Sequence, residues 1–472
     1  MGVVLNNAIW KAVEQYGVIG SRFILQLFLA RLLAPEDFGA IAICSIFISL
    51  VDVFIQNGIA VALVQQKHVD EKKYNSVYYF SLLLATVIYV LIFVFSGMLA
   101  DFFNIPILEN LLRIILICIF PNSYSSILYS ILRRNLQFKK VFISTITSTI
   151  IAGTIAIILA INEFGVWTLV IEVLINSVLT AITLGVIVKW YPKLQFSLKS
   201  LREVLDFGWK VFLTNIVDEL FFEIRTILIG KFYSPATLSF YSRGKQFPNL
   251  VIRSINGSLM AVLLPVFSRN NENKPLLRNL TRQSIVLSST LIFPILTLLA
   301  ISAPTIIEVL LTDKWLPCVP FLQLMCIYYS SWIITTTNIQ LLYGFGNSKK
   351  VLQLQTIRKI VDLIIIVFTI RISIDALVWG EVIISIIYIP VYLHYSGKNI
   401  DYKVLSQIKD IAPVLIFCTI EAITVKFLCL IELPLIISLL FQILGAVTVY
   451  LLLMYIFKYE GLCLLVNKMK KV

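Results

Sequence analysis

Apolar stretches long enough to cross a bilayer follow one another along almost the whole chain, separated by short polar loops. A helix of about 20 apolar residues spans the hydrocarbon core. On that measure the sequence predicts roughly fourteen spans, near 10–33, 38–64, 77–99, 111–131, 141–161, 166–188, 209–230, 247–267, 284–307, 319–343, 354–372, 375–395, 411–430 and 434–457. The runs are continuous rather than alternating, which excludes a β-barrel. The predicted fold class is therefore an all-α integral membrane protein, with no loop long enough to hold a soluble domain.

The two halves echo each other at an offset near 200 residues. Trp10-Lys11 matches Trp209-Lys210, Leu33-Ala34-Pro35 matches Tyr233-Ser234-Pro235, and Asn57-Gly58 matches Asn256-Gly257. Lys139-Lys140 is echoed more weakly by Lys349-Lys350. These matches predict two parallel six-helix repeats, an N-terminal lobe over 1–200 and a C-terminal lobe over 201–400. Two additional transmembrane helices and a cytoplasmic tail then occupy 401–472. An even number of spans returns the chain to the same side, so the repeats are related by an axis along the membrane normal. A central pathway is expected at the interface of the lobes, operating by alternating access.

Composition sharpens this picture. Hydrophobic residues make up 59% of the chain and charged residues 14%, against about 25% charged in soluble domains. The net charge of +13 would suggest nucleic acid in a soluble protein. Here the cations concentrate in loops after even-numbered spans, as in Arg133, Arg134, Lys139 and Lys140, and in Lys189, Lys193, Lys199 and Arg202. The positive-inside rule then places both termini in the cytoplasm, and no nucleic-acid partner is expected. The excess charge sets topology and adds attraction to anionic membrane lipids. The seven cysteines form no CxxC pair and read as small apolar fillers. No separate signal peptide is read at the N-terminus; the first span itself would direct insertion.

Function must lie in the charges placed within the apolar stretches, because each costs roughly 2.5–3.5 kcal/mol at the bilayer centre. The first span carries Gln15, Arg22 and Gln26 on one face, and the second carries Asp52, Gln56 and Asn57. The seventh holds Asn215, Asp218, Glu219, Glu223 and Arg225; the eighth holds Asn249, Arg253 and Asn256. Glu172 lies in the sixth span, Glu381 in the twelfth, and the Arg358–Asp362 pair in the eleventh. The first, second, seventh and eighth spans are repeat equivalents, which predicts a polar cavity lined by Arg22, Gln26, Asp52, Asn57, Arg225, Arg253 and Asn256. Its arginines suit an anionic, phosphate-bearing substrate, because a guanidinium donates two hydrogen bonds at once. Asp218, Glu219 and Glu223 are candidates for ion coupling, with H+ or Na+ as the ion. Lys231, Arg243 and Lys245 break the charge pattern and are candidates for an outer mouth. The competing reading pairs these charges with one another for structure alone, above all Arg358 with Asp362. Tyr241, Trp332 and Tyr343 are candidate platforms for sugar rings.

The chain has no GxxxxGK[ST], no HExxH and no DxD. It therefore reads as a non-enzyme with no cofactor and no metal site. A membrane-embedded polysaccharide polymerase would need a sizeable outer loop, which the sequence does not contain. A small-molecule exporter would be expected to have an acidic cavity.

Five segments carry a family resemblance: LARLLAPEDFGAIAI from Leu29, ILRRNLQFKKVFIS from Ile131, EFGVWTLV from Glu163, ILIGKFYSPATLSFYSRGKQFPNLV from Ile227 and LLTDKWLPCVPFLQLM from Leu310. In this order and spacing the chain resembles the bacterial oligosaccharide flippases of the multidrug/oligosaccharidyl-lipid/polysaccharide exporter superfamily. The resemblance implies fourteen helices in two lobes within the cytoplasmic membrane. It also implies translocation of undecaprenyl-pyrophosphate-linked oligosaccharide units for O-antigen, capsule or exopolysaccharide assembly, with lipopolysaccharide among the products. A polysaccharide polymerase and chain-length proteins are the partners it brings with it. The family pattern places an acid three residues before the Leu-Ile-Gly run where this chain has Arg225, so no acidic role is carried over there.

Overall fold

The protein is described here by a computed structural model covering residues 2–55, 63, 69–462 and 464, with side chains at 2–8, 205–212, 254, 258 and 261 outside the description. Helices account for nearly all of it, and no strand occurs among the described residues. In chain order they are α1 (Gly2–Leu32), α2 (Pro35–Asp52), α3 (Glu71–Phe103), the short α4 (Leu108–Ile115), α5 (Ile119–Arg134), α6 (Phe138–Ile161), α7 (Val166–Val188) and α8 (Leu198–Phe232). There follow α9 (Pro235–Arg269), α10 (Lys274–Ile301), the short α11 (Ala303–Leu310), α12 (Val319–Gly344), α13 (Ser348–Thr369), α14 (Ile374–Gly397), α15 (Val404–Cys429) and α16 (Leu435–Ile456). Each predicted span has its helix. Among the described residues, 11 helical stretches are long and apolar enough to cross a membrane. The long helices that miss that standard, α1, α8 and α13, are the ones carrying many of the charges singled out above.

Two short helices precede longer ones: one opens the stretch predicted as a single span at 111–131, and the other follows α10 at the end of the span predicted at 284–307. α4 turns through a 3-10 segment, Leu116–Cys118, into α5, and α11 through Asp313–Cys318 into α12. The same device in both halves repeats at the offset found in the sequence. Helix starts repeat as well. Pro35 and Pro235 both stand at the first helical position, where a missing N–H costs nothing. The carboxylate of Asp37 accepts from the Ala34 N–H at 3.2 Å, and Ser234 Oγ accepts from the Thr237 N–H at 3.2 Å.

The chain packs as two compact units, Met1–Ser239 and Phe240–Val472. In the first, α1 lies along α6, α6 along α7, and α5 against both α3 and α7, while α8 packs on α2 and α3. Small residues permit close approach: a β-carbon on Gly17 would meet Phe142 at 2.7 Å, and one on Gly153 would meet Leu25 at 2.8 Å. Ser144, Thr145, Ser148 and Thr149 line the buried face of α6, with Ser144 and Thr183 2.6 Å apart across α6 and α7. Gly165, at φ 54 and ψ −135, occupies a region open only to glycine and aims α7 back against α6.

The second unit repeats the pairings α10–α12, α12–α14 and α13–α14 that α3–α5, α5–α7 and α6–α7 make in the first. α15 and α16 pack on each other and on α10 and α11. A polar clamp at their ends ties them to α10. Arg282 Nη1 and Nη2 donate to the two carboxylate oxygens of Glu460 at 2.9 and 2.5 Å, and its Nε donates to Asp410 at 3.0 Å. The Tyr402 hydroxyl donates to the other oxygen of Asp410, and Tyr459 donates to the Asp410 carbonyl at 3.1 Å. Burial pushes both phenols above their ordinary range, Tyr459 to about 12, with Asp410 reinforcing the shift.

Candidate functional site

A cavity of about 700 Å³ lies inside the first unit. It is built from one face each of α1, α2, α5, α6 and α7. Helical spacing explains the lining. Lys11, Gln15, Arg22 and Gln26 follow a single stripe of α1, with Glu14 beside it; Glu172, Asn176 and Thr180 stand four apart on α7. α2 contributes Ser45, Ser49 and Asp52, and its helix widens into a π turn over 53–55, a feature common near functional sites. α5 contributes Asn122, Ser125, Tyr129 and Arg133.

Six charged side chains line it among the described residues: Lys11, Arg22 and Arg133 against Glu14, Asp52 and Glu172. They fall into groups. Glu14 is only 7% exposed and answers two cations, with Oε2 2.5 Å from Lys11 Nζ and Oε1 3.6 Å from an Arg133 guanidinium nitrogen. Arg22 is close enough to Glu172 and to the Tyr129 hydroxyl for their charges to act on one another. Asn176 donates to Thr149 at 3.3 Å, and Tyr129 pairs with Thr145 at 3.2 Å, which holds the wall in place. A chamber of this kind can solvate hydroxyls and phosphates within apolar helices, where an unpaired polar group costs several kcal/mol.

Of the residues predicted to line a cavity, Arg22, Gln26 and Asp52 are brought together here. Asn57 lies outside the described residues. Arg225 is on α8, buried at 6% exposure, and does not line this chamber; Arg253 and Asn256 belong to the second unit, on α9. Asp218 is exposed and Glu219 and Glu223 half-buried along α8, away from the chamber lining. Lys231 donates to the Phe102 carbonyl at 2.5 Å and sits over the Phe102 ring, joining the ends of α8 and α3. Arg243 is buried, donates to Gln246 at 2.6 Å and stacks over Trp315. Lys245 lies 5.9 Å from the centre of the Tyr241 ring, and Tyr241 itself is fully buried, 3.3 Å from Glu381. Arg358 faces the Tyr388 and Tyr392 rings of α14.

Sequence reasoning missed Lys11, Glu14, Tyr129, Arg133 and Asn176 as cavity groups. Arg133 read as a topology cation because it closes a span. The stripe Glu172, Asn176, Thr180 was a usable signal, since three polar residues one turn apart in an apolar helix require a polar neighbour.

Fold and chamber together define a multi-pass α-helical membrane protein with a charged cavity built among its helices. The chain belongs to the polysaccharide biosynthesis protein family, which matches residues 28–320. It is 26% identical over 346 residues to the succinoglycan biosynthesis transport protein ExoT of Rhizobium meliloti (strain 1021), covering 73% of this chain and 69% of that protein. It is 23% identical to the lipopolysaccharide biosynthesis protein WzxC of Escherichia coli (strain K12), covering 68% of this chain and 66% of that one. The teichuronic acid biosynthesis protein TuaB of Bacillus subtilis (strain 168) is 24% identical, with 63% of this chain and 62% of that one covered. The chain thus spans about two thirds of the length of these relatives.

Among solved structures, the lipid II flippase MurJ in an inward closed conformation superposes with a TM-score of 0.78, covering 96% of this chain and 100% of that one at 19% identity. An inward-facing multidrug resistance MATE family transporter of the MOP superfamily superposes with a TM-score of 0.61, covering 82% and 95% at 14% identity. At these identities the likeness is one of fold.

Proposed function

We propose that this protein is a flippase that moves lipid-linked oligosaccharide units across the cytoplasmic membrane for extracellular polysaccharide assembly. The observation that carries the reading is the charged chamber among apolar helices, in a chain whose family serves polysaccharide biosynthesis. A sugar unit needs hydroxyl partners, which Ser45, Ser49, Asn122, Ser125, Asn176 and Thr180 offer. Its pyrophosphate needs cations, which Lys11, Arg22 and Arg133 offer. The lipid tail can stay in the bilayer. With both termini cytoplasmic, as the loop charges argue, the Lys11–Arg133 end of the chamber faces the side on which the carrier is loaded. Transport rather than catalysis is the work of such a chamber. Arg225, Arg253 and Asn256 are our further candidates for substrate contact, and Asp218, Glu219 and Glu223 our candidates for coupling to H+ or Na+.

The test uses a strain lacking the protein, whose lipid-linked glycans are extracted while its surface polysaccharide is stained. Surface loss with complete units stranded on their carrier, inaccessible from outside, is expected. An unchanged surface with altered drug sensitivity would point instead to small-molecule export, and unpolymerised single units at the surface to a polymerase.

A further inference from the structure

Glu14 is one of three acids that line, among the described residues, a chamber whose proposed ligand is an anion. Its carboxylate is buried between two cations supplied by different helices, Lys11 of α1 and Arg133 of α5. Each cation is braced on a ring: Lys11 lies 5.3 Å from the Phe138 ring centre and Arg133 5.2 Å from that of Tyr129. A third cation, Lys139, lies 5.1 Å from the Trp10 ring centre at the same end. The cations stay reachable, with the Lys11 and Arg133 side chains 43% and 44% exposed, while the carboxylate they hold is not. The arrangement is therefore an anion site with a built-in occupant.

We propose that Glu14 stands in for the pyrophosphate of the carrier lipid, filling the anion position between Lys11 and Arg133 until the substrate displaces it. This rests on the flippase reading. The chemistry favours exchange in both directions. A pyrophosphate diester brings two negative charges and more acceptor oxygens than one carboxylate, so it wins the cations by charge-assisted hydrogen bonds. Glu14, tethered three residues from Lys11, remains at high local concentration and competes for the same cations when the headgroup loosens. A transporter needs binding firm enough to load and weak enough to release, and an internal competitor sets that balance. It also keeps the two like charges of Lys11 and Arg133 from facing each other unpaired.

The experiment measures binding of geranyl pyrophosphate, a soluble prenyl pyrophosphate, to the purified full-length protein in detergent. The Glu14→Gln variant, which keeps shape and removes charge, should bind about tenfold tighter, whereas Lys11→Gln and Arg133→Gln should each bind about tenfold weaker, the scale of one charge-assisted contact. Glu14→Ser gives a second reading should the glutamine variant be poorly folded, and thermal unfolding reports the fold of each. Unchanged or weaker binding in both Glu14 variants overturns the proposal, as does wild-type affinity in both cation variants. In cells, Glu14→Gln should strand carrier-linked units despite a normal protein level, because release is slowed. If the affinities move as expected but the deletion strain strands no carrier, the flippase reading fails and the anion site stands. If the deletion strands carrier and the affinities do not move, the stand-in fails alone.

Discussion

Gly39 of α2 lies so close to Pro235 that a β-carbon at residue 39 would stand 1.9 Å from the Pro235 carbonyl oxygen. The obstacle is backbone, which cannot swing aside as a side chain would. This contact seats the start of α9 on the helix that carries Asp52, and Gly230 meets Ile43 of the same helix nearby.

Gly39→Ala should therefore destabilise the protein by about 1–3 kcal/mol, the range for overpacking a close contact. Gly20→Ala is the control: nothing among the described residues stands within 4 Å of its β-carbon position, and a helix-interior alanine gains roughly 0.5–1 kcal/mol over glycine. Thermal unfolding in detergent measures both. Equal melting temperatures for the two variants would show that the α2–α9 contact relaxes freely.

Arg22→Gln removes the deep cation of the chamber and leaves Glu172 opposite a neutral side chain. Loss of one charged hydrogen bond, about 1.5–3 kcal/mol, corresponds to a drop of roughly 10- to 150-fold in substrate affinity. Surface polysaccharide should fall with the protein still present in the membrane. Full surface staining in this variant would remove Arg22 from the site. Arg253→Ala, on α9 of the second unit, should likewise lower surface polysaccharide with the protein still present in the membrane, and full staining would remove Arg253 from the candidates.

The Arg282 clamp predicts a pH and charge dependence confined to the C-terminal unit. Arg282→Gln should cost about 1–2 kcal/mol, less than a buried network because the side chain is one-third exposed. Arg282→Lys should not restore it, since an ammonium cannot bridge Glu460 and Asp410 in the planar geometry seen. The Tyr459 phenol is raised from 10.0 to about 12. A raised value stabilises fully below the unfolded one, so the clamp should hold below about pH 10 and loosen as the pH climbs toward 12. Hydrogen exchange over α15 and α16 at pH 8 and pH 11 would detect this; equal protection at both would refute it.

Glu421 of α15 is 2% exposed, and its Oε2 has no hydrogen-bond partner among the described residues. A buried polar atom left unsatisfied costs about 1–3 kcal/mol. Glu421→Leu should thus raise the melting temperature while surface polysaccharide is unchanged. A stabilised protein that no longer exports would instead assign the carboxyl a part in transport.

Much of the fold was legible in the chain because membrane helices announce themselves locally. Backbone groups in lipid must bond within their own helix, so length and apolarity suffice to find each one. The repeat was legible through matched turns such as Ala34-Pro35 and Ser234-Pro235, whose capping geometry is also local. The break at Leu116–Cys118 was not, because hydropathy does not register a change of helix winding, whereas Asp313–Cys318 falls between the spans predicted at 284–307 and 319–343. The candidate site was read in part. Arg22, Gln26 and Asp52 stood out by their cost within apolar spans.

The sequence by itself determined that this chain lives in the membrane as a bundle of helices, which faces of α1 and α2 are polar, and which family it resembles. These follow from periodicity and composition over a few turns. Only the tertiary structure decided that Arg133 reaches back to Glu14, more than a hundred residues away, and that Glu172 and Asn176 complete the wall beside Arg22. Such pairings depend on which helices lie together, and that is set by small residues such as Gly17 and Gly153 letting α1 settle on α6. Close packing is a property of two surfaces at once, and no single stretch of sequence contains both.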